Sequence, residues 1–495
     1  MSDNSIKKLT QNSLIYTING ILMKCFSFFL LPLYTAYLTT SDYGIVSITR
    51  NFIVPMSFIV SLSLFSAIYR FYVDLKDDDV KLRRFYGTIS VFVFVFSTIC
   101  VGLLTVFKET LIKKVFVGLD FYPIIFITLL TLIFEPQYTI YIQILKSQQK
   151  AFKASVVSLS YFLLTVLLNI LFVVLLKYNV EGILLSTLIV NVIFYVIFIY
   201  DMIKSNQLLI CFDNELLKSA LSYSIPIIPH NLSTHIAVLI ASILIGSNDS
   251  FSALGLYAIA VQFGNIADTI QGYVDSAYGP WLYNQLSTGG SDVKKIIGNA
   301  VSILISGIGL AFLGISLFAQ DYIFLFLNKA YFDAWILVPF IVSTYAIKTV
   351  YYFYVEVLFY YKDASKKLFV ATLSSSVINI LLAYFFIPIY GVYGAILANS
   401  IAMLVRVSIA IYLSRMYSDI GLRISSFVNN FIYLEIFIIL GLAYSYISGL
   451  GIFDLTNFII KCLVVALYIV FMFFRFKEIN DIFNYGCSYI KNKIS

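Results

Sequence analysis

Long apolar runs alternate with short polar segments along the whole chain. A helix needs about 20 mostly apolar residues to cross a bilayer. Backbone groups in lipid are satisfied only within helices or closed barrels, and barrel strands are much shorter than these runs. The pattern predicts an all-α integral membrane protein with about fourteen transmembrane helices. The predicted spans are 10–38, 44–68, 85–107, 121–144, 154–177, 182–202, 220–246, 252–285, 296–318, 334–360, 368–388, 392–414, 427–447 and 455–475.

The positions of the basic residues predict the orientation of these helices. With the amino terminus inside, most of the 33 Lys and Arg residues fall in inside segments. The outside segments hold only Lys108, Lys113, Lys114, Lys177 and Lys329. Cytoplasmic loops of membrane proteins carry such an excess, so both termini are expected in the cytoplasm of a multi-pass protein. The largest polar connections, 69–84 and 203–219, are both inside, which leaves no outer loop large enough for a catalytic domain.

Composition supports the same class of protein. The hydrophobic fraction is 60%, the charged fraction is 12% and the mean hydropathy is +0.92, whereas soluble domains have about 45–50% apolar and about 25% charged residues. The five cysteines show no metal-binding spacing, so no metal or cofactor is expected. The expected surroundings are a lipid bilayer, and no nucleic-acid partner is expected.

Two segments match each other and reveal an internal repeat. SDYGIVSITRNF at 41–52 aligns with SALGLYAIAVQF at 252–263, so that Gly44 corresponds to Gly255. Twenty residues before each glycine lie Lys24 and His235. A repeat of six helices restores the starting side of the membrane, so the two copies are expected to be parallel. The predicted domains are a six-helix lobe at 1–205, a second at 206–418, and a two-helix appendix with a tail at 419–495.

Several ionisable residues lie within the predicted spans. Such groups are costly in lipid and usually face a bundle interior or a watery cavity. The basic members fall in both lobes, a distribution that suits an anionic ligand held by several charge-assisted hydrogen bonds. The candidate binding residues are Lys24, Arg50, His235, Lys348 and Arg406.

Structural interpretations compete with binding at several of these positions. Arg50 is close enough to a helix end to reach the interface, and Arg406 and Glu435 lie at equal depth and would suit an ion pair. Asp268 has the depth of His235 and Lys348, so it could neutralise either or bind a coupling cation. Glu135 precedes Pro136, which suggests a hinge or an ion site.

Other charged or titratable residues are assigned by their positions. His230 follows Pro226 and Pro229, so it is expected in a broken part of its helix. Three residues lie nearer helix ends and are expected to reach the interface with their polar groups: Asp275, Glu356 and Lys461.

Three stretches resemble a known family. They are NGILMKCFSFFLLPLYTAYLTTSDYG at 19–44, SYSIPIIPHNLS at 222–233 and IPIYGVYGAILAN at 387–399. They are similar to the polysaccharide transporter family, the Wzx-type flippases of O-antigen, capsule and exopolysaccharide repeat units. That family belongs to the superfamily of the MATE exporters and lipid II flippases, and the resemblance extends over essentially the whole chain.

The resemblance implies a function and a location. A flippase of this type moves an undecaprenyl-pyrophosphate-linked oligosaccharide from the cytoplasmic to the outer leaflet of the bacterial cytoplasmic membrane, by alternating access through a cationic cavity between the lobes. Polysaccharide polymerases and other assembly proteins are candidate partners. The driving force is open among Na⁺, H⁺ and the membrane potential, with Glu135 and Asp268 as candidate coupling residues.

Three other functions compete with flipping: a cation exporter, an enzyme, and a lipid scramblase that is not coupled to an energy source. A MATE-type exporter of small cations would share the architecture but favour an acidic cavity. An enzyme that polymerises or ligates lipid-linked sugars would need acid, base or metal groups at the outer face, and the short outer loops disfavour it. We therefore expect a transporter and not an enzyme.

Overall fold

The computed structural model describes residues 3–289, 292–365, 367–449 and 451–475. Its secondary structure is helical throughout this part of the chain. Fourteen of the described helical segments are long and apolar enough to cross a membrane. The predicted fold class is therefore confirmed.

The helices of the first half of the chain are α1 (Asp3–Phe29), α2 (Leu31–Tyr37), α3 (Thr40–Val60), α4 (Phe65–Leu75), α5 (Asp79–Val106), α6 (Phe126–Ser147), α7 (Ala151–Asn169), α8 (Asn179–Lys204), α9 (Asn214–Ser224) and α10 (Ile228–Asn248). Short π-helical segments adjoin them at Lys108–Ile112, Phe121–Ile125 and Ile170–Leu175. The second half holds α11 (Phe251–Thr288), α12 (Val293–Phe326), α13 (Ala334–Tyr360), α14 (Lys362–Ser365), α15 (Leu368–Tyr390), α16 (Val392–Tyr417), α17 (Ile424–Ser448) and α18 (Leu455–Arg475).

The chain forms two compact units, 1–255 and 256–495. In the first unit α10 packs against α3, and Asn51 Nδ2 donates to Ser242 Oγ across them at 2.9 Å. This packing places α10 in the first unit, although it belongs to the second sequence repeat. The division into 1–205, 206–418 and 419–495 follows the repeat and stays a prediction.

The second spanning helix begins earlier than predicted because of a capping box. Thr39 Oγ1 accepts from the Asp42 backbone N–H at 3.1 Å, and Asp42 Oδ2 accepts from the Thr39 N–H at 3.0 Å. This reciprocal arrangement satisfies two backbone donors at the helix start. The polar turn therefore starts α3 at Thr40 instead of preceding it.

The same predicted span also ends earlier, because the chain breaks after Val60. Leu62 and Ser63 adopt left-handed conformations, with φ of 47° and 51°, and α4 follows. Leu64 and Ile68 beyond the break are fully buried in a core that includes Phe85 and Tyr141. Tertiary packing thus imposes a break on a sequence that has no glycine or proline at that point.

The helix that contains His230 is interrupted, but before that residue. A 3₁₀ turn at Ile225–Ile227 separates α9 from α10. Pro226 lies within the turn and Pro229 in the first turn of α10, where a proline costs little. His230 therefore lies in regular helix just after the predicted break.

Candidate functional site

The three predicted cations of the first unit lie on α1, α3 and α10. Lys24, Arg50 and His235 are all exposed. The ring of His235 lies 5.4 Å from that of Phe58 on α3. Arg50 adjoins Asn51, so the packing of α3 on α10 brings the helices of Arg50 and His235 together.

Glu135 is held by hydroxyl groups. Ser57 donates to one of its carboxylate oxygens and Thr139 Oγ1 to the other, at 3.3 Å. Among the described ion pairs of the chain, none includes Glu135. Pro136 lies inside the continuous helix α6. The site around Glu135 therefore combines one carboxylate with the hydroxyl groups of Ser57 and Thr139.

Aromatic and amide side chains extend this polar region. Tyr138 stacks on Tyr161 with ring centroids 4.2 Å apart, and Asn191 Nδ2 donates to Tyr161 Oη at 3.0 Å. Asn169 Nδ2 donates to Tyr34 Oη at 2.9 Å. We did not predict these residues from the sequence, where asparagines within apolar runs were the only signal of them.

Lys348 on α13 forms an ion pair with Asp268 on α11. The Nζ–Oδ1 distance is 2.6 Å, and 17% and 35% of the two side chains are exposed. Tyr352 Oη donates to the same carboxylate at 3.3 Å, and the ammonium lies 5.5 Å from the ring centroid of Tyr345. Of the open alternatives for Asp268, the structure shows the pairing with Lys348, so Lys348 is not an unpaired cation.

Arg406 donates to a hydroxyl group and not to the Glu435 carboxylate, which was considered as its partner from the sequence. Its Nε donates to Ser375 Oγ at 2.8 Å. In the described part of the chain it forms no ion pair with Glu435, whose Oε1 is buried without a hydrogen-bond partner. The half-buried Arg406 thus keeps a net positive charge on α16.

Lys461 was expected to reach the membrane interface with its ammonium group, and this expectation was wrong. Its side chain is fully buried, and its Nζ lies 2.7 Å from both Asp321 Oδ2 and Gln320 Oε1. Ser445 and Asn457 complete the cluster through hydrogen bonds to Gln320 of 2.8 and 3.1 Å. The prediction failed because it ended the ninth span at 318, which left Asp321 outside the membrane.

Glu356 is also buried, contrary to expectation. Only 8% of it is exposed, and Tyr283 Oη donates to its carboxylate at 2.5 Å. Its Oε2 packs over Gly279, where a Cβ would come within 2.6 Å. Asp275, one turn before Gly279, is half-buried, with a buried Oδ1 that has no partner.

Among the described residues, no group of three or more His, Cys, Asp and Glu side chains could hold a metal ion. The polar sites described above are ion pairs, hydroxyl-bound carboxylates and amide clusters.

Comparison with known proteins shows which solved structures share the fold and to which family the chain belongs. The fold is shared with a solved lipid II flippase MurJ in an inward closed conformation, with a TM-score of 0.70, 16% identity, and 92% of this chain and 98% of that chain covered. An inward-facing multidrug resistance MATE family transporter of the MOP superfamily matches with a TM-score of 0.56 and 17% identity over 82% of this chain and 94% of its own. A MOP superfamily transporter from Pyrococcus furiosus, described as having a binding pocket of reverse polarity, matches with a TM-score of 0.51 and 18% identity, and the match covers 83% of this chain and 95% of that chain. These three structures share the fold of this chain.

The polysaccharide biosynthesis protein family matches residues 9–284, more than half of the chain. The chain belongs to this family. No curated protein matches its sequence.

Proposed function

We propose that this protein flips undecaprenyl-pyrophosphate-linked oligosaccharide repeat units from the cytoplasmic to the outer leaflet of the bacterial cytoplasmic membrane. It would act by alternating access, as a Wzx-type transporter and not as an enzyme, with both termini in the cytoplasm. Family membership and the lipid II flippase fold support a lipid-linked substrate. The observation that carries the proposal is the partly exposed Lys348–Asp268 pair in the middle of two spanning helices.

The pair gives a physical route for binding and release of a pyrophosphate. An unpaired lysine at this depth is costly, so Asp268 stabilises the empty site. A pyrophosphate carries more negative charge than one carboxylate and offers several acceptors, so it competes for the Lys348 ammonium. Asp268 would then be released to take up a proton or Na⁺, which couples transport to an ion gradient. Lys24, Arg50, His235 and Arg406 are proposed to contribute further positive charge.

Flipping can be measured in proteoliposomes that contain the purified protein and a fluorescent undecaprenyl-pyrophosphate oligosaccharide. We expect the substrate to become accessible in the opposite leaflet only when the protein is present. Equal movement of a neutral polyprenyl glycoside lacking the pyrophosphate would contradict the proposal, since the cations would then have no role.

Substitutions at the pair separate binding from structure. We expect Lys348→Met to reduce flipping at least about tenfold, because at least one charge-assisted hydrogen bond to the substrate is lost. Lys348→Arg keeps the charge and should retain much of the activity. The double variant Lys348→Met with Asp268→Asn removes the uncompensated carboxylate, so its stability should recover while its flipping stays low. Recovery of flipping in the double variant would show that Lys348 only balances Asp268.

A cation exporter of the MATE type is the second candidate function. It is favoured by Glu135, a carboxylate bound by the hydroxyl groups of Ser57 and Thr139 without a described cationic partner. Efflux of a fluorescent cationic dye from the same proteoliposomes would support it. Absence of dye efflux together with pyrophosphate-dependent flipping would exclude it.

A further inference from the structure

The second unit contains a strongly basic cavity at one end of its helices. Its volume is about 880 Å³, and it lies among the start of α12, the end of α16, the start of α17 and the end of α18. One carboxylate, that of Asp419, faces five cationic side chains: Lys294, Lys295, Arg415, Arg423 and Arg475. The positive-inside rule predicts that this end faces the cytoplasm.

The wall of this basic cavity is ordered by its own hydrogen bonds. Lys294 Nζ pairs with Asp419 Oδ2 at 2.8 Å. Asp419 Oδ1 accepts from the backbone N–H of Gly421 at 3.1 Å, and Gly421 adopts a left-handed φ of 79°. Tyr354 Oη donates to the Leu422 carbonyl at 3.1 Å. The connection between α16 and α17 is therefore a folded wall.

Asp419 is already neutralised within this wall. The hydrogen bond from Lys294 holds the pKa of the Asp419 carboxyl below its ordinary value, so the carboxylate and Lys294 cancel. In the described chain, none of the other four cations takes part in an ion pair. The cavity keeps an excess of four positive charges for a ligand.

An apolar groove continues from the basic cavity. Its volume is about 490 Å³, and Ile305, Phe427 and Asn430 line both spaces. Farther along, the groove is lined by apolar side chains such as Phe312, Val407 and Leu434. A ligand that fills both spaces must have an anionic end and an apolar end.

Asn430 lies at the junction of the two spaces with an unused donor. The residue is 8% exposed, and its Nδ2 atom is buried without a hydrogen-bond partner. A buried amide donor without a partner is destabilising, so an acceptor supplied by a ligand would stabilise it. The acceptor would lie between the anionic and the apolar ends of that ligand.

We propose that the basic cavity and the apolar groove together bind an anionic phospholipid. The phosphate would lie among Lys295, Arg415, Arg423 and Arg475, an ester carbonyl would accept from Asn430, and an acyl chain would occupy the groove. Basic pockets between membrane helices at the cytoplasmic side bind anionic lipid head groups in this way. A polyprenyl pyrophosphate shares the phosphate chemistry but has no carbonyl for Asn430, so the observations favour a phospholipid.

The test measures binding of phosphatidylglycerol to the full-length protein in detergent, by native mass spectrometry and by the rise in unfolding temperature. We expect phosphatidylglycerol to bind and stabilise, and phosphatidylcholine to do so at least about tenfold more weakly. Lys295→Gln with Arg423→Gln and Arg475→Gln should weaken phosphatidylglycerol binding at least about tenfold. Asn430→Leu should weaken it about threefold to tenfold through loss of one hydrogen bond.

A matched control removes the same charge from another exposed basic segment: Lys76→Gln with Lys81→Gln and Arg84→Gln. This control should bind phosphatidylglycerol as the unmodified protein does. Equal loss in the control, or equal binding of phosphatidylcholine, would overturn the proposal. So would full stabilisation by inorganic pyrophosphate alone, or tighter binding of undecaprenyl pyrophosphate. If the Asn430→Leu variant binds phosphatidylglycerol normally, Asn430 has no role in lipid binding. The proposed hydrogen bond to an ester carbonyl would then be wrong.

Discussion

Replacing Lys461 by methionine is expected to destabilise the protein by about 3–5 kcal/mol. The substitution leaves Asp321 as an uncompensated charge in a site where only 5% of its side chain is exposed. The Gln320 carbonyl oxygen would also lose one of its donors. The free energy of unfolding in mixed detergent micelles, titrated with SDS, measures this loss.

The double variant Lys461→Met with Asp321→Leu tests the cause of that loss. It removes both charges, and apolar replacement of a buried ion pair is often neutral or stabilising, so most of the stability should return. Arg70→Ala serves as a control, because the Arg70–Asp74 pair is about half exposed and its loss should cost roughly 0–1 kcal/mol. A loss below about 1 kcal/mol in Lys461→Met would show that Asp321 takes up a proton at little cost.

The second large effect is expected at two glycines that correspond in the repeat. A Cβ added to Gly44 would clash with the backbone carbonyl of Phe251, and one added to Gly255 would clash with that of Thr40. The obstacle is helix backbone in both cases, so the starts of α3 and α11 must separate. Overpacking of this kind costs typically about 1–3 kcal/mol, which we expect for Gly44→Ala and for Gly255→Ala in the same unfolding experiment.

The two substitutions should not add. Once one Cβ has separated the helices, the second meets less resistance, so the double variant should lose less than the sum of the single losses. Gly102→Ala is the control, since nothing lies within 4 Å of its Cβ position, and alanine there should be neutral or stabilising by up to about 1 kcal/mol. Full additivity would indicate that the two helices do not share the contact.

The correspondence of Gly44 with Gly255 shows what could be predicted from the sequence and what could not. It was predicted from two short matching segments, and in the structure the two glycines are in direct backbone contact. The contact itself could not be predicted, because a repeat states which positions are equivalent and not which positions touch.

For the ionisable residues, the positions in the helices were easier to predict than the partners. Lys348 and Asp268 were predicted at equal depth, and the short Nζ–Oδ1 distance fits that placement. Lys461 was misplaced because its partner lay beyond the predicted end of a helix. That end moved from 318 to Phe326, since pairing with Lys461 lets Gln320 and Asp321 lie inside the bundle.

By itself, the sequence determined that the protein is helical and has about fourteen segments apolar enough to cross a membrane, and it predicted that the basic residues lie mainly on one side. Those properties depend on local hydropathy, because lipid forces each apolar segment to satisfy its own backbone. Only the tertiary structure decided which charges are neutralised and which remain available to a ligand. The partners in these pairs are far apart in the chain, as with Lys461 and Asp321, and only the packing of the helices brings them within hydrogen-bonding distance.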